Sequence, residues 1–115
     1  MESKKKLGTI KTEQQATPAF EGDELCRTYF NTARITFGMS RLMPGKKGEL
    51  DPGHAEADEV FFCVKGKVLC YFPEDDHYYE LKRGDALLIP QGCGHKLFNI
   101  GDEEAIITWS CAPHP

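Results

Sequence analysis

The chain has 115 residues, of which 40% are hydrophobic and 28% charged, and its formal net charge at pH 7 is −4. This length is typical of one domain, and the negative charge argues against a protein that binds nucleic acid or anionic membranes through a basic surface. No apolar run reaches the roughly 20 residues of a membrane span, and no apolar segment of the secretory type follows the charged N-terminus. We therefore expect one cytoplasmic domain with no nucleic-acid or membrane partner.

The chain carries five cysteines, an odd number, and none of them belongs to a C-x-x-C pair. Without a secretory signal, the simplest prediction is that these thiols are reduced, as is usual in a cytoplasm. The spacing also argues against a zinc site made of clustered cysteines.

The first 24 residues are polar and show no clear periodicity, so residues 1–24 are expected to form a partly flexible arm with one short strand at most. This arm ends in an acidic turn, Glu21–Glu24. Residues 25–112 are expected to form the folded domain and residues 113–115 a short tail. Frequent glycine and proline residues divide the chain into short segments, which favours an all-β barrel or sandwich over a helical bundle.

Eight of these segments are rich in β-branched and aromatic residues and are predicted to be strands. In chain order they are Cys26–Phe30, Ala33–Met43, Val60–Val64, Lys67–Phe72, Tyr78–Leu81, Ala86–Ile89, His95–Asn99 and Ala105–Cys111. The continuous apolar run at Val60–Val64 indicates a strand that is buried on both faces or lies at a dimer contact. Strands spaced by roughly ten residues are typical of a closed antiparallel sheet such as a jelly roll.

One segment, GDALLIPQGCGHKLFN, carries a dense pattern of fixed positions. Its residues Gly84, Pro90, Gly92, His95 and Asn99 follow the spacing G-x5-P-x-G-x2-H-x3-N. The segment therefore resembles the second motif of the cupin superfamily. The resemblance implies a double-stranded β-helix, the jelly-roll barrel of small single-domain cupins.

The upstream stretch PGKKGELDPGHAEADEVFFCVKG resembles the first cupin motif, G-x5-H-x-H-x3/4-E-x6-G, but lacks its pair of histidines. Counted back from Glu59, His54 is the second histidine, and Pro52, which cannot ligate, stands in the place of the first. Counted forward from Gly48, His54 is the first histidine and Glu56 replaces the second. We prefer the first register, because the strand that starts at Glu59 is rigid while the preceding loop can stretch.

The resemblance implies that His54, Glu59 and His95 converge inside the barrel and hold one divalent metal ion. Two imidazoles and one carboxylate suit iron, and also manganese, nickel or zinc, among which the sequence does not distinguish. Water, Glu56 or Cys93 would fill the position of the missing histidine. If no metal binds, the same side chains form a polar pocket.

The alternation of side chains along a strand also predicts which other residues face the interior. The expected pocket residues are Arg34, Arg41, Phe61, Cys63, Leu97 and Trp109. One of the two arginines, if it points inward, would clamp a substrate carboxylate or phosphate with two hydrogen bonds. The alternative for both is a surface position.

These observations favour a small metalloenzyme that acts on a small polar metabolite, either an organic acid or a sugar-like molecule. Dioxygenase, isomerase and lyase or decarboxylase reactions all stay open, since one scaffold hosts many chemistries. The alternative is a non-catalytic cupin with a degenerate metal site, which binds a small molecule or acts as a regulatory or dimerisation domain. In either case we expect a homodimer.

Overall fold

The computed structural model describes residues 7–113, and its ordered elements are almost all strands. One turn of 3₁₀ helix lies at Glu13–Gln15. Nine strands follow within the described residues: β1 (Thr17–Glu21), β2 (Glu24–Asn31), β3 (Thr36–Leu42), β4 (Asp58–Lys65), β5 (Lys67–Phe72), β6 (His77–Lys82), β7 (Ala86–Ile89), β8 (Lys96–Asn99) and β9 (Ala105–Ala112). In this part of the chain, no helix has the length and apolar character needed to cross a membrane.

The strands form two antiparallel sheets with the core between them. One sheet has six strands in the order β1-β2-β3-β9-β4-β7, and the other has three in the order β6-β5-β8. From β4 onward, the chain passes from one sheet to the other at four of its five connections. This alternation is the jelly-roll arrangement of a double-stranded β-helix, so the prediction of an all-β barrel is confirmed.

The core is built from alternate residues of each strand, because successive side chains point to opposite faces of a sheet. On β4, Glu59, Phe61 and Cys63 are buried, whereas Val60 and Phe62 are 40% and 42% exposed. This apolar run is therefore not buried on both faces within one chain. Its outward side chains form an open apolar surface instead.

The expected N-terminal arm also carries a strand. β1 pairs with β2 over all five of its residues, starting with Thr17 opposite Thr28. It forms one edge of the six-stranded sheet. The structure describes residues 7–24 of the expected arm and Pro113 of the expected tail, and the rest of both segments lies outside the described residues.

The predicted strand Ala33–Met43 begins later than expected, at Thr36. The side-chain oxygen of Thr32 accepts hydrogen bonds from the backbone N–H groups of Arg34 and Ile35, both at 3.1 Å. These bonds close a tight turn of the kind that threonine favours. Arg34 therefore lies in an exposed turn and not on a strand.

The cysteines are unpaired, as the sequence predicted. All five are free thiols, and four of them are buried. Burial raises the pKa of Cys70 to about 12 and also raises the pKa of Cys63. These two thiols stay protonated and fill the core as small apolar groups.

Candidate metal centre

A cavity of about 130 Å³ opens inside the barrel between the two sheets. Its walls come from both sheets and from the loop between β3 and β4. The lining residues are Glu21, Glu24, Cys26, Thr36, Glu49, Asp51, His54, Glu59, Phe61, His95, Leu97, Trp109 and Cys111. This volume suits several waters or one small organic molecule, since an enclosed water needs about 10–15 Å³.

Glu59 lies at the centre of a cluster of potential metal ligands. Its inward position on β4 leaves it only 5% exposed. Oε1 of Glu59 lies 3.1 Å from Nε2 of His95 and 3.6 Å from Nε2 of His54. Nε2 of His95 also lies 3.6 Å from Oδ2 of Asp51. Two atoms that bind one metal ion at about 2.1 Å are about 3.0–3.4 Å apart. The distance between Glu59 and His95 falls in this range, and the two distances of 3.6 Å lie slightly above it.

Two atoms of this cluster have unmet bonding capacity. Among the described residues, Oε1 of Glu59 and Nε2 of His54 are buried with no hydrogen-bond partner. Leaving a buried polar atom unpaired costs about 1–3 kcal/mol. A cation between the two atoms would satisfy both, because a carboxylate oxygen and a neutral imidazole nitrogen each donate an electron pair. The residues present therefore fit a metal ion.

The ring of His95 is oriented for ligation. Its Nδ1 lies 2.9 Å from the carbonyl oxygen of Cys93, which places a proton on Nδ1 and turns Nε2 toward the carboxylates of Glu59 and Asp51. Burial lowers the pKa of His95, but the Glu59 carboxylate, the Cys93 carbonyl and the Asp51 carboxylate outweigh it and raise the pKa overall. The same groups that favour a proton at Nε2 would favour a metal cation there.

The backbone fixes Asp51 beside His95. The N–H of Asp51 donates to the carbonyl of His95 at 2.8 Å, and the N–H of His95 donates to the carbonyl of Asp51 at 2.9 Å. These two bonds form an isolated antiparallel bridge. Oδ1 of Asp51 accepts a hydrogen bond from the N–H of Gly53 at 2.8 Å, which leaves Oδ2 on the side of His95.

The loop that carries His54 is tied to the second motif. The carbonyl oxygen of His54 accepts a hydrogen bond from the N–H of Gly92 at 2.8 Å. Gly53 has a φ of +88°, and a Cβ at this position would lie 2.7 Å from the carbonyl oxygen of Cys93. Only glycine combines a positive φ with so close an approach. The loops of the two motifs therefore hold each other in place.

The sequence agrees with this architecture. Residues 38–111, more than half of the chain, match the family model described as Cupin domain. The chain belongs to the cupin family. No curated protein matches the sequence.

Several solved structures share the fold of this cupin. An uncharacterized conserved protein with a double-stranded β-helix domain from Klebsiella pneumoniae has a TM-score of 0.79 at 18% identity, over 94% of this chain and 92% of that one. A predicted oxalate decarboxylase from Thermotoga maritima has a TM-score of 0.76 at 14% identity, over 91% and 99%. KdgF from a Halomonas species has a TM-score of 0.74 at 15% identity, over 95% and 96%. At these identities the similarity shows the fold alone.

In the structure of this cupin, Glu59 belongs to two groups of potential ligands, one with His54 and Cys111 and the other with Asp51 and His95. Each predicted histidine lies close to Oε1 of Glu59, but the two histidines do not belong to the same group. The sequence analysis missed Asp51. Asp51 directly precedes Pro52, the residue in the place of the missing histidine. This aspartate next to the position of the missing histidine was the signal in the sequence that could have identified the additional ligand.

The two residues proposed as an additional ligand lie elsewhere. Glu56 is exposed in the loop before β4, and Cys93 directs its thiol to a backbone carbonyl of its own loop. Neither lines the cavity. Cys111 on β9 instead places its thiol within 4.8 Å of the ligand atoms of His54 and Glu59. Burial, followed by the charge of Glu59, raises the pKa of Cys111, so this group is a neutral thiol.

Three of the expected pocket residues, Phe61, Leu97 and Trp109, line the cavity and form its apolar wall. The indole N–H of Trp109 donates to the hydroxyl of Ser40 at 3.0 Å, which fixes the ring at the edge of the cavity. The apolar side of the pocket is therefore made by side chains on β4, β8 and β9.

The other three expected pocket residues, Arg34, Arg41 and Cys63, do not line the cavity. Arg34 lies in the exposed turn before β3. Arg41 forms ion pairs with Glu13 at 2.8 Å and with Glu104 at 2.9 Å. Cys63 is fully buried in the core, with its thiol directed to the turn after β4. These corrections remove both arginines from the cavity wall.

Carboxylates that the sequence analysis did not assign to the pocket line the remaining wall: Glu21, Glu24 and Glu49. Glu24 is 8% exposed, and the thiol of Cys26 lies 3.4 Å from its Oε2 as a donor. Burial raises the pKa of Glu24 to about 7. The acidic turn seen in the sequence is therefore part of the cavity, because the pairing of β1 with β2 brings it to the barrel mouth.

Proposed function

We propose that this cupin binds one divalent metal ion per chain through His54, Glu59 and His95, with Asp51 as a fourth ligand. The observation that carries the proposal is the pair of buried atoms without partners, Oε1 of Glu59 and Nε2 of His54, which lie 3.6 Å apart. In this arrangement the carboxylate of Asp51 replaces, as a metal ligand, the histidine that is missing from the first motif.

The proposed donor set contains two imidazole nitrogens and two carboxylate oxygens. Such a mixed set suits iron, manganese, nickel or zinc. A set made only of oxygens would favour magnesium or calcium, and a set rich in thiolates would favour zinc or copper(I). The proposal therefore names a first-row transition metal.

We further propose that the protein is a small metal-dependent enzyme acting on a small polar metabolite. When bound, the metal would supply a Lewis acid with open coordination positions. Phe61, Leu97 and Trp109 form an apolar wall that limits water around a bound molecule. Glu24 is a buried carboxyl on the cavity wall that can hold or release a proton near neutral pH.

Dioxygenase, isomerase and lyase or decarboxylase reactions are all compatible with these groups. The identity of the metal narrows them, because zinc has no redox chemistry and acts only as a Lewis acid, whereas iron also supports oxygen chemistry. Iron would lead to assays of oxygen uptake. Any of the other three metals would lead to assays of isomerase and lyase activity.

Elemental mass spectrometry of untagged protein, purified without chelator, tests the metal site. We expect about one ion of iron, manganese, nickel or zinc per chain. His95→Ala and Glu59→Gln should lose the metal, because the first removes a ligand nitrogen and the second replaces a charged carboxylate with a weaker neutral amide. His77→Ala is the matched control, since His77 is exposed on β6 and does not line the cavity.

Circular dichroism and thermal melts of each variant separate loss of metal from loss of folding. Folded variants without metal, beside a wild type and a His77→Ala variant that both carry it, would support the site. A wild type that takes up none of the four ions from excess would contradict it. The second candidate would then apply, a non-catalytic cupin that binds a small molecule, which the presence of Pro52 in the place of a histidine favours.

A further inference from the structure

The charged groups that line the cavity are almost all of one sign. Five carboxylates line it: Glu21, Glu24, Glu49, Asp51 and Glu59. Within the described part of the chain, no lysine or arginine lines it, and its only basic groups are the two histidines of the metal cluster. The cavity is therefore strongly acidic before any metal binds.

The carboxylates fall into two groups. Asp51 and Glu59 contact His95 and would balance the charge of a divalent ion. Glu21 and Glu49 are exposed at the mouth, and Glu24 is buried on the wall. Glu21, Glu49 and the ionised fraction of Glu24 therefore remain as negative charge when a metal is bound.

The carboxylates also raise one another's pKa. For Glu21, burial is the largest cause of a raised pKa, followed by the charges of Asp51, Glu49 and Glu59. For Glu24, burial is again the largest cause, and the charges of Glu21 and Glu59 add to it. A ligand with a positive charge would relieve this repulsion, whereas a ligand with a negative charge would increase it.

We propose that the cavity selects a small organic cation, such as a primary ammonium compound, and excludes carboxylate and phosphate metabolites. This inference rests on the proposed function and names its substrate class. It also replaces the expectation of an organic acid, and with it that of a decarboxylase, because no lysine or arginine among the described residues lines the cavity to pair with a carboxylate.

Three further features suit such a ligand. The indole of Trp109 lies on the cavity wall, where its ring face can attract a cation. Phe61 and Leu97 accommodate a short apolar stem. In the metal-free protein, the unpartnered Oε1 of Glu59, on a side chain that is 5% exposed, offers a buried acceptor to a positively charged group. With a metal bound to Oε1, the attraction comes from Glu21, Glu24 and Glu49.

Binding of three two-carbon alcohols tests the inference, because they differ only in one end group. Ethanolamine is cationic, ethylene glycol is neutral and glycolate is anionic. Each is titrated by NMR at neutral pH and constant ionic strength, into chelator-treated protein and into protein incubated with zinc. We expect ethanolamine to bind at least about tenfold more tightly than ethylene glycol, and glycolate to bind more weakly than the glycol.

Neutral variants locate the source of the preference. Glu24→Gln should reduce the preference for ethanolamine over ethylene glycol. The double variant Glu21→Gln with Glu49→Gln changes exposed positions and should also reduce this preference, which tests the mouth carboxylates independently of Glu24. Glu74→Gln is the matched control, because Glu74 is exposed in the turn between β5 and β6 and does not line the cavity.

The outcomes separate this inference from the proposed function. Equal affinities for the three probes, tighter binding of glycolate, or no binding of ethanolamine would each overturn the inference, even in a protein that holds metal. The expected order of affinities in chelator-treated protein would support the inference. It would do so even if elemental analysis failed to find a metal.

Discussion

Asp51 and His95 contact each other through both backbone and side chain. Their backbones exchange two hydrogen bonds of 2.8 and 2.9 Å, and Oδ2 of Asp51 lies 3.6 Å from Nε2 of His95. One residue belongs to the loop of the incomplete first motif and the other to the intact second motif. The bridge therefore positions a carboxylate next to the imidazole, although no histidine is present at that point of the first motif.

Asp51→Asn should weaken zinc binding by at least about tenfold, since replacing even a group that only supports a ligand costs about 10- to 100-fold in affinity. Asparagine keeps the shape of the side chain and the acceptor for the N–H of Gly53, so folding should be retained. Competition titration with a coloured chelator measures the affinity. Asp75→Asn, in an exposed turn, is the control. An unchanged affinity in Asp51→Asn would show that Asp51 is not a ligand.

Gly53→Ala should destabilise the protein by about 1–3 kcal/mol, because alanine is strained at a positive φ and its Cβ would press on the carbonyl of Cys93. Gly45→Ala separates these two causes. Gly45 also has a positive φ, of +76°, but no atom lies within 4 Å of its added Cβ. Urea unfolding should therefore show a larger loss for Gly53→Ala than for Gly45→Ala. Equal losses would mean that the contact with Cys93 contributes nothing.

The fold could be predicted because the residues of the second motif keep a fixed spacing along one short segment of the chain. Nδ2 of Asn99 donates to the carbonyls of Leu42 and Glu103, and its Oδ1 accepts from the N–H of Gly101. A single side chain therefore closes the turn after β8, and its spacing from His95 can be read from the sequence. The inward positions of Glu59 and Phe61 follow in the same way from strand alternation.

The remaining wall of the cavity could not be predicted, because it depends on register and on loop contacts. Ser40 is 1% exposed and faces inward, so its neighbour Arg41 must face outward. A shift of one residue exchanges the two faces of a strand, and the sequence alone did not fix that register. Asp51 faces the cavity only because a long loop is bridged to His95, and such a contact leaves no periodic signal.

Glu24 should make the stability of the metal-free protein fall as pH rises. Its pKa is about 7 in the folded protein against 4.5 as the ordinary value, since burial favours the neutral acid. The folded protein therefore keeps a proton that the unfolded chain has released. The free energy of unfolding therefore starts to decrease above pH 4.5 because of this group. The decrease is complete above about pH 7 and amounts to about 3 kcal/mol.

Glu24→Gln removes this titration. The variant should gain stability relative to the wild type between pH 5 and pH 8, by up to about 3 kcal/mol, as measured by urea unfolding of chelator-treated protein. Glu74→Gln, which replaces an exposed carboxyl, should show no such pH-dependent difference. If the difference in unfolding free energy between Glu24→Gln and the wild type were the same at pH 5 and at pH 8, it would contradict the raised pKa of Glu24.

The outer face of the six-stranded sheet is where we propose that a second copy of this chain binds. Val60 and Phe62 on β4 and Leu88 on β7 point away from the core and are 40%, 42% and 59% exposed. Val60 lies directly opposite Leu88. Their neighbours across β9 are Ser110 and Thr108, so no charge interrupts the centre of this face. A contiguous apolar surface of this kind is typical of a protein interface.

Light scattering coupled to size exclusion tests this homodimer. The wild type should elute at twice the 12.9 kDa mass of one chain, because pairing two such faces removes their apolar side chains from water. The double variant Phe62→Lys with Leu88→Lys should elute as a folded monomer, since buried lysines of like charge would repel across the contact. Tyr78→Lys, at an exposed position on β6, should remain a dimer. A monomeric wild type, or a dimer that survives the double variant, would exclude this face as the interface.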